Sequence, residues 1–231
     1  MAATTGNSSE TKIQVGEKEY SVDVKKIPYF ESFLNFQQKA GQSTTSVPVH
    51  GEIPFFDTIN YGVSKGYRHF FRRMPVQLSD YHKLCETLEF LTIDLLAGQK
   101  LNNIMDDMRE CKGDFDMEER REIEGNKSLA RDAAFRLVYM FLLGEFESEV
   151  RDRDMAYNAT LFVVSHPRVF KHRTRKVVLE AFEERFLVSD KMRKGLNKWP
   201  VPDPSPEQLE ADVTTQVESD YYYDSDDWMS Y

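Results

Sequence analysis

Between Lys12 and Met108 the chain changes its hydrophobic period in a definite order: two short alternating stretches, an aromatic helix, another extended stretch, then a train of helices. That order constrains the fold more than any single motif. A segment patterned with period two cannot bury its apolar residues as a helix, nor the reverse. In Ile13-Gln14-Val15 and Tyr20-Ser21-Val22-Asp23-Val24 apolar and polar residues alternate, and Gly16-Glu17-Lys18 supplies a polar turn. The pattern predicts two antiparallel strands with one buried face. Pro28 suits a first helical position, where its missing N–H has no partner to lose, and Phe30, Phe33 and Leu34 follow at the spacing of one helical face. Val47 and Val49 alternate across Pro48, which predicts a short edge strand, since proline cannot donate inside a sheet. Pro54 opens a helix whose Phe55, Ile59 and Val63 recur every fourth residue. After Met74-Pro75, Ser79 or Asp80 is expected to cap a helix carrying Tyr81, Leu84, Leu88 and Leu91, with Leu95, Leu101, Ile104 and Met108 beyond it. The fold class is therefore α+β, within about 100 residues, an ordinary domain size.

The segment IQVGEKEYSVDV followed by IPYFESFL resembles the strand pair and SPYFRxxF-like helix opening of BTB/POZ domains. YHKLCETLEFLTIDLL resembles the family's Y-x-x-L-x-x-x-A-x-x-L-x-I-x-x-L helix pair. The resemblance covers a little under half of the chain. It implies a BTB/POZ-like small sheet with helices, followed here by an all-α C-terminal region, and a non-catalytic role in protein–protein interaction. It also implies a homo-oligomer that self-associates through the first strand and first helix, around Ile13, Val15, Phe30 and Phe33. Covering an exposed strand edge is a physical incentive for such association. Within the family, an adaptor role in a ubiquitin ligase complex would bring a cullin scaffold as partner. The expected contacts are then Phe55, Phe56 and Ile59, with Tyr67, Phe70, Phe71 and Met74 from the following loop.

The chain divides by composition into a small polar stretch, 1–11, expected to be disordered, the BTB/POZ-like domain at 12–110, a charged connector at 111–127, a helical domain at 128–198 and an acidic tail at 199–231. In the connector Asp114, Asp116 and Glu118 alternate like the first ligands of a calcium loop. Glu119 stands where that loop needs its turn glycine and Gly125 where it needs a bidentate Glu, which excludes it. In the helical domain Ala130, Ala133, Leu137 and Phe141 share one helical face, and Val177, Val178, Ala181, Phe182 and Phe186 form another stripe. Pro202, Pro204 and Pro206 interrupt regular structure, and the residues after them lack the apolar surface to fold alone.

No Lys or Arg follows Lys198, while nine acids do, and these account for the whole formal charge of −9. Residues 1–198 therefore carry equal numbers of acidic and basic side chains. Within them Arg168, Lys171, His172, Arg173, Arg175 and Lys176 form a basic run, suited to phosphate, nucleic acid or an acidic protein segment, or simply to a solvated helix start. In the tail Tyr221, Tyr222, Tyr223 and Trp228 stand among acids, the make-up of a linear motif that folds on a partner. That composition gives the alternative function, a transcription or chromatin cofactor recruiting partners through its tail. No DNA-reading module is present, so nucleic acid is not an expected partner.

No phosphate loop, dinucleotide glycine fingerprint, HExxH or G-x-S-x-G occurs, so neither an enzyme nor a cofactor is expected. His82 and Cys85 are three apart on a helix, but no second His/Cys pair completes a zinc site. Cys85 and Cys111 are the only cysteines. The longest apolar run, Leu137 to Leu143, is far short of the ~18 residues a membrane helix needs. With no secretory signal read at the N-terminus, the expected location is cytoplasm and/or nucleus, with no membrane attachment.

Overall fold

The computed structural model describes residues 10–40, 47–110, 120–146 and 149–199. Strand β1 (Glu10–Val15) pairs antiparallel with β2 (Lys18–Asp23), Ile13 lying opposite Tyr20 and Thr11 opposite Val22. Gly16, at φ 60°, makes the turn between them in a conformation that costs glycine little. The alternation places Ile13, Val15, Tyr20 and Val22 on one face. Ile13 and Val22 are completely buried there, and Tyr20 meets Phe56 edge-on at 4.9 Å. β1 starts at Glu10, inside the N-terminal stretch expected to be disordered.

A two-residue strand, β3 (Val49–His50), runs parallel to β1 on its other side. The backbone N–H groups of Gln14 and Gly16 donate to the carbonyls of Pro48 and His50 at 2.9 and 3.0 Å. The sheet order is β2-β1-β3, so β3 is an edge, as Pro48 predicts.

Among the described residues nine helices accompany the sheet. α1 (Pro28–Lys39) opens on its proline, and α2 (Phe56–Lys65) starts two residues after Pro54. A short 3-10 turn (Tyr67–His69) leads into α3 (Phe70–Arg73). α4 (Leu78–Phe90) begins from Gln77, with no side chain capping it, so neither Ser79 nor Asp80 is its cap. Asp80 sits instead in the first turn, where its charge suits the helix dipole. α5 (Leu101–Arg109), α6 (Arg120–Leu143), α7 (Glu149–Ser165), α8 (His172–Arg185) and α9 (Asp190–Asn197) complete the set. α6 reaches back into the expected connector.

The described residues belong to one compact unit, and Pro200–Tyr231 lie outside them. Within this unit a single hydrophobic cluster takes in both the sheet-bearing half and the later helices. Phe135 of α6 is completely buried, its ring 4.5 Å from Phe70, 5.8 Å from Phe71 and 6.3 Å from Tyr67. Gly62 of α2 is required beneath this group, because a Cβ there would collide with the Phe70 ring.

Polar contacts flank the junction. Asp132 accepts from the Arg68 backbone N–H at 2.6 Å and from its Nη1 at 3.1 Å. Asp107 accepts from Arg136 Nη1 at 3.1 Å and from Gln99 Nε2 at 2.9 Å.

Truncating Phe135 to alanine is expected to lower the unfolding free energy by ~3–5 kcal/mol. A single, coincident urea transition by fluorescence and circular dichroism is expected to remain. Two separate transitions would mean that the halves fold independently. A second test concerns Asp132, whose carboxyl is held above its ordinary 3.8 by burial, against the lowering pull of Arg68 and Arg136. A carboxyl with a raised folded pKa contributes stability that is full below the unfolded value and lost as pH rises through the folded one. The stability of the natural chain relative to Asp132→Asn should therefore decline as pH rises from below 3.8, read from paired urea melts. A relative gain would mean that Arg68 outweighs burial.

Candidate functional site

Exposed aromatic side chains gather where α1, β3 and the end of α4 meet. Tyr29, in the first turn of α1, lies with its ring 4.7 Å from Phe90 and stacks on Phe33 at 6.3 Å. Its hydroxyl is 2.7 Å from Nε2 of His50, and the other ring nitrogen, Nδ1, is 2.9 Å from the Gly51 carbonyl. A carbonyl can only accept, so in the neutral imidazole Nδ1 carries the hydrogen and Nε2 accepts from Tyr29. Phe33 completes the group, its ring 5.1 Å from His50.

Around this centre the apolar surface is open, Phe36 being 72% exposed and Phe90 52%; Val49, next to His50 in the strand, faces the other side of the sheet. Phe36 follows Phe33 by three residues and so shares its side of α1. The Tyr29 backbone N–H donates to the Leu91 carbonyl at 3.3 Å, which ties the start of α1 to the end of α4. Thr92 then takes φ 55°, a left-handed turn that ends α4 at Phe90.

The residues expected to self-associate lie mostly elsewhere. Ile13 and Phe30 are completely buried and Val15 nearly so, and only Phe33 reaches the surface, half-buried. The strand alternation that made Ile13 and Val15 conspicuous turns them into the core, where Phe30 packs edge-on against Phe56 at 5.4 Å. The expected partner-binding residues meet the same correction. Phe56, Ile59, Phe70, Phe71 and Met74 are buried, while Phe55 and Tyr67 are half-buried. Phe135, from the chain's own α6, covers Tyr67, Phe70 and Phe71, so an outside scaffold cannot reach Phe70 or Phe71 with the fold intact.

In the basic run Arg168 and Lys171 are exposed, and Arg173, Arg175 and Lys176 are half-buried. Burial pulls the Arg175 guanidinium below its ordinary pKa. Tyr221, Tyr222, Tyr223 and Trp228 lie outside the described residues.

A shallow cleft between α4, α6 and α8 is lined by His82, Phe141, Leu142, Ala181, Glu184 and Arg185. His82 Nε2 lies 2.8 Å from Glu184 Oε1 across it and joins the two halves of the unit. Cys85 is completely buried on the same helix, and burial pushes its thiol up, which makes it a packing group rather than a nucleophile. Among the described residues no group of three or more His, Cys, Asp or Glu could hold a metal ion, and no helix is long and apolar enough to cross a membrane.

No family model, curated protein or solved structure matches the chain.

The aromatic face includes Tyr29, Phe36, His50 and Phe90, none of which stands out as a contact residue in the sequence. Their one local signal is an apolar residue that adds to a helical stripe already complete without it, as Phe36 does beyond Phe33 and Leu34. The assignment of inside and outside is testable by stability. Phe71→Ala is expected to cost ~3–5 kcal/mol in urea unfolding. Phe36→Ala should stay within about 0.5 kcal/mol of the natural chain. Equal costs would contradict it.

Proposed function

We propose that this chain is a non-catalytic protein-interaction module of BTB/POZ type that self-associates through its aromatic α1–β3–α4 face. The observation that carries the proposal is the exposure of Phe36 and Phe90 around the Tyr29 and Phe33 rings, beside an open sheet edge. Contiguous apolar surface of this kind on a folded unit marks an interaction site, and the rigid rings at its centre are the residue types that dominate binding energy. The family likeness adds support through the order of elements, in which the strand pair leads directly into the aromatic helix. Self-association would satisfy the β3 edge and cover the rings in one step.

An adaptor that engages a cullin scaffold is a narrower form of the same proposal. It needs a surface other than Phe56, Ile59, Phe70, Phe71 and Met74, because these are interior. If that surface were the aromatic face, one copy of the chain could not use it for a second copy and a scaffold at once. A transcription or chromatin cofactor acting through Tyr221, Tyr222, Tyr223 and Trp228 would differ in requiring the tail. Comparing what co-purifies with the full chain and with a chain ending at Lys198 separates the two.

The direct test is sedimentation of the full chain carrying Phe36→Asp and Phe90→Asp together. Both side chains are exposed, so the fold should survive while self-association weakens by about a hundredfold, as loss of two central interface side chains implies. A chain that sediments as a monomer at tens of micromolar before mutation, or one whose association ignores both substitutions, would overturn the proposal.

A further inference from the structure

Hydrogen bonds fix His50 at the centre of the aromatic face. Its backbone carbonyl accepts from the Gly16 N–H at 3.0 Å, Nδ1 donates to the Gly51 carbonyl at 2.9 Å, and Nε2 accepts from the Tyr29 hydroxyl at 2.7 Å. Phe33 and Phe30 flank the ring, their centroids 5.1 and 6.0 Å from its own. Both ring nitrogens thus have partners, and the ring cannot turn outward without losing them.

This arrangement matches the neutral imidazole. A second proton, placed on Nε2, makes that nitrogen a donor. The Tyr29 oxygen must then accept, and the hydroxyl hydrogen must turn away and find another acceptor. On the open face water serves, since Tyr29 and His50 are only half-buried, and water also solvates the charged ring. Beneath a second copy of the chain that water is displaced, which leaves the hydrogen unmatched and the charge desolvated.

No charged group stands ready to offset the proton. Val15 and His50 are register partners, so they share one side of the sheet, while Lys12 and Glu19 pair with each other on the opposite side. From α1 the ring meets Tyr29, Phe30 and Phe33. Glu52 packs against Gly16 at the hairpin turn, and α4 brings Phe90 against Tyr29, with exposed Glu86 one turn earlier. Among the described residues neither carboxylate forms an ion pair with His50. A two-fold association adds no new kind of group, because each copy presents the same surface, and it brings a second His50 under the same cover.

We propose, resting on the self-association through this face, that His50 makes it pH-sensitive: two copies join with both rings neutral, and protonation releases them. The associated form then binds fewer protons than the separate chains, so association is full above the imidazole range and weakens as pH falls through it.

Sedimentation equilibrium of the full chain, at constant ionic strength and at about pH 7.5 and about pH 5.5, brackets the ordinary imidazole value. The dissociation constant is expected to rise about tenfold for each ring that must shed a proton, and so about a hundredfold for a symmetric pair. In His50→Gln, whose amide takes up no proton in this range, the constant should change less than about twofold, whatever its value. Thermal unfolding at both pH values checks that each chain is folded. If His50→Gln fails to fold or to associate, the His50 ring resonances of the natural chain decide. Their titration midpoint should fall as the chain is concentrated through the association range. Association that is equal at the two pH values, strengthens toward acid or weakens as much in His50→Gln would overturn this inference and leave the self-association reading intact, as would a midpoint independent of concentration. A chain that stays monomeric at both pH values would overturn both.

Discussion

The insertion of Phe135 among Tyr67, Phe70 and Phe71 is the contact on which the rest of the compact unit depends. α3 is a single turn of helix and cannot be stable alone; nucleating a turn costs more entropy than its few hydrogen bonds return. It holds its shape because two of its four residues, Phe70 and Phe71, are buried against α6 on one side and the α2–α4 core on the other. Gly62 contributes by having no side chain, which lets the Phe70 ring settle directly on α2. The Arg68–Asp132 and Arg136–Asp107 pairs then act less as sources of stability than as constraints on register, since a one-residue slip of α6 would leave partly buried charges unpaired.

That contact also explains how far local pattern can be trusted in this chain. The strand pair, the edge character of β3, the opening of α1 at Pro28 and the buried stripes at Ala130, Ala133, Leu137 and Phe141 were legible, because each depends on a period or on proline chemistry. What covers a stripe is not local information. Phe70, Phe71 and Met74 stand in a short segment between two basic residues and a proline, which reads equally well as a presented loop or as a helix turn packed inward. The deciding residue, Phe135, lies more than sixty positions away. The start of α4 shows the same limit at a smaller scale. Ser79 and Asp80 are good caps, but the helix extends back to Leu78 because Leu78 packs against the core, and packing outweighs a cap worth ~1 kcal/mol.

The aromatic face was illegible for a related reason. Phe36 and Phe90 come from two separated helices, and only the contact of the Tyr29 ring with Phe90 and of the Tyr29 N–H with the Leu91 carbonyl brings the second beside the first. Periodicity on α1 identifies Phe30 and Phe33 as one side of the helix, yet Phe30 is completely buried and Phe33 half-buried. The helix rolls so that its stripe is divided between the core and the surface, and no spacing rule distinguishes the two halves.

Two regions of this unit therefore go against local preference, and they do so in different ways. At the aromatic face, apolar rings stay in water although ordinary packing offers about 25 cal/mol for each Å² removed from it. At the start of α8, cations stand where the helix dipole disfavours them, with no acid in the first turn. Both features weaken the isolated fold, and neither is forced by the core, since a polar residue at Phe36 or an acid near Lys171 would leave every interior contact in place. Departures from local consistency that the interior does not require are where a folded chain keeps surface available for something outside itself. The edge at β3 fits that view: its strand is only two residues long, short enough to discourage indiscriminate pairing through the backbone. In the proposed self-association, specificity at that edge would be left to the rings around it, which would select a partner by shape and not by the open hydrogen bonds that any strand could satisfy.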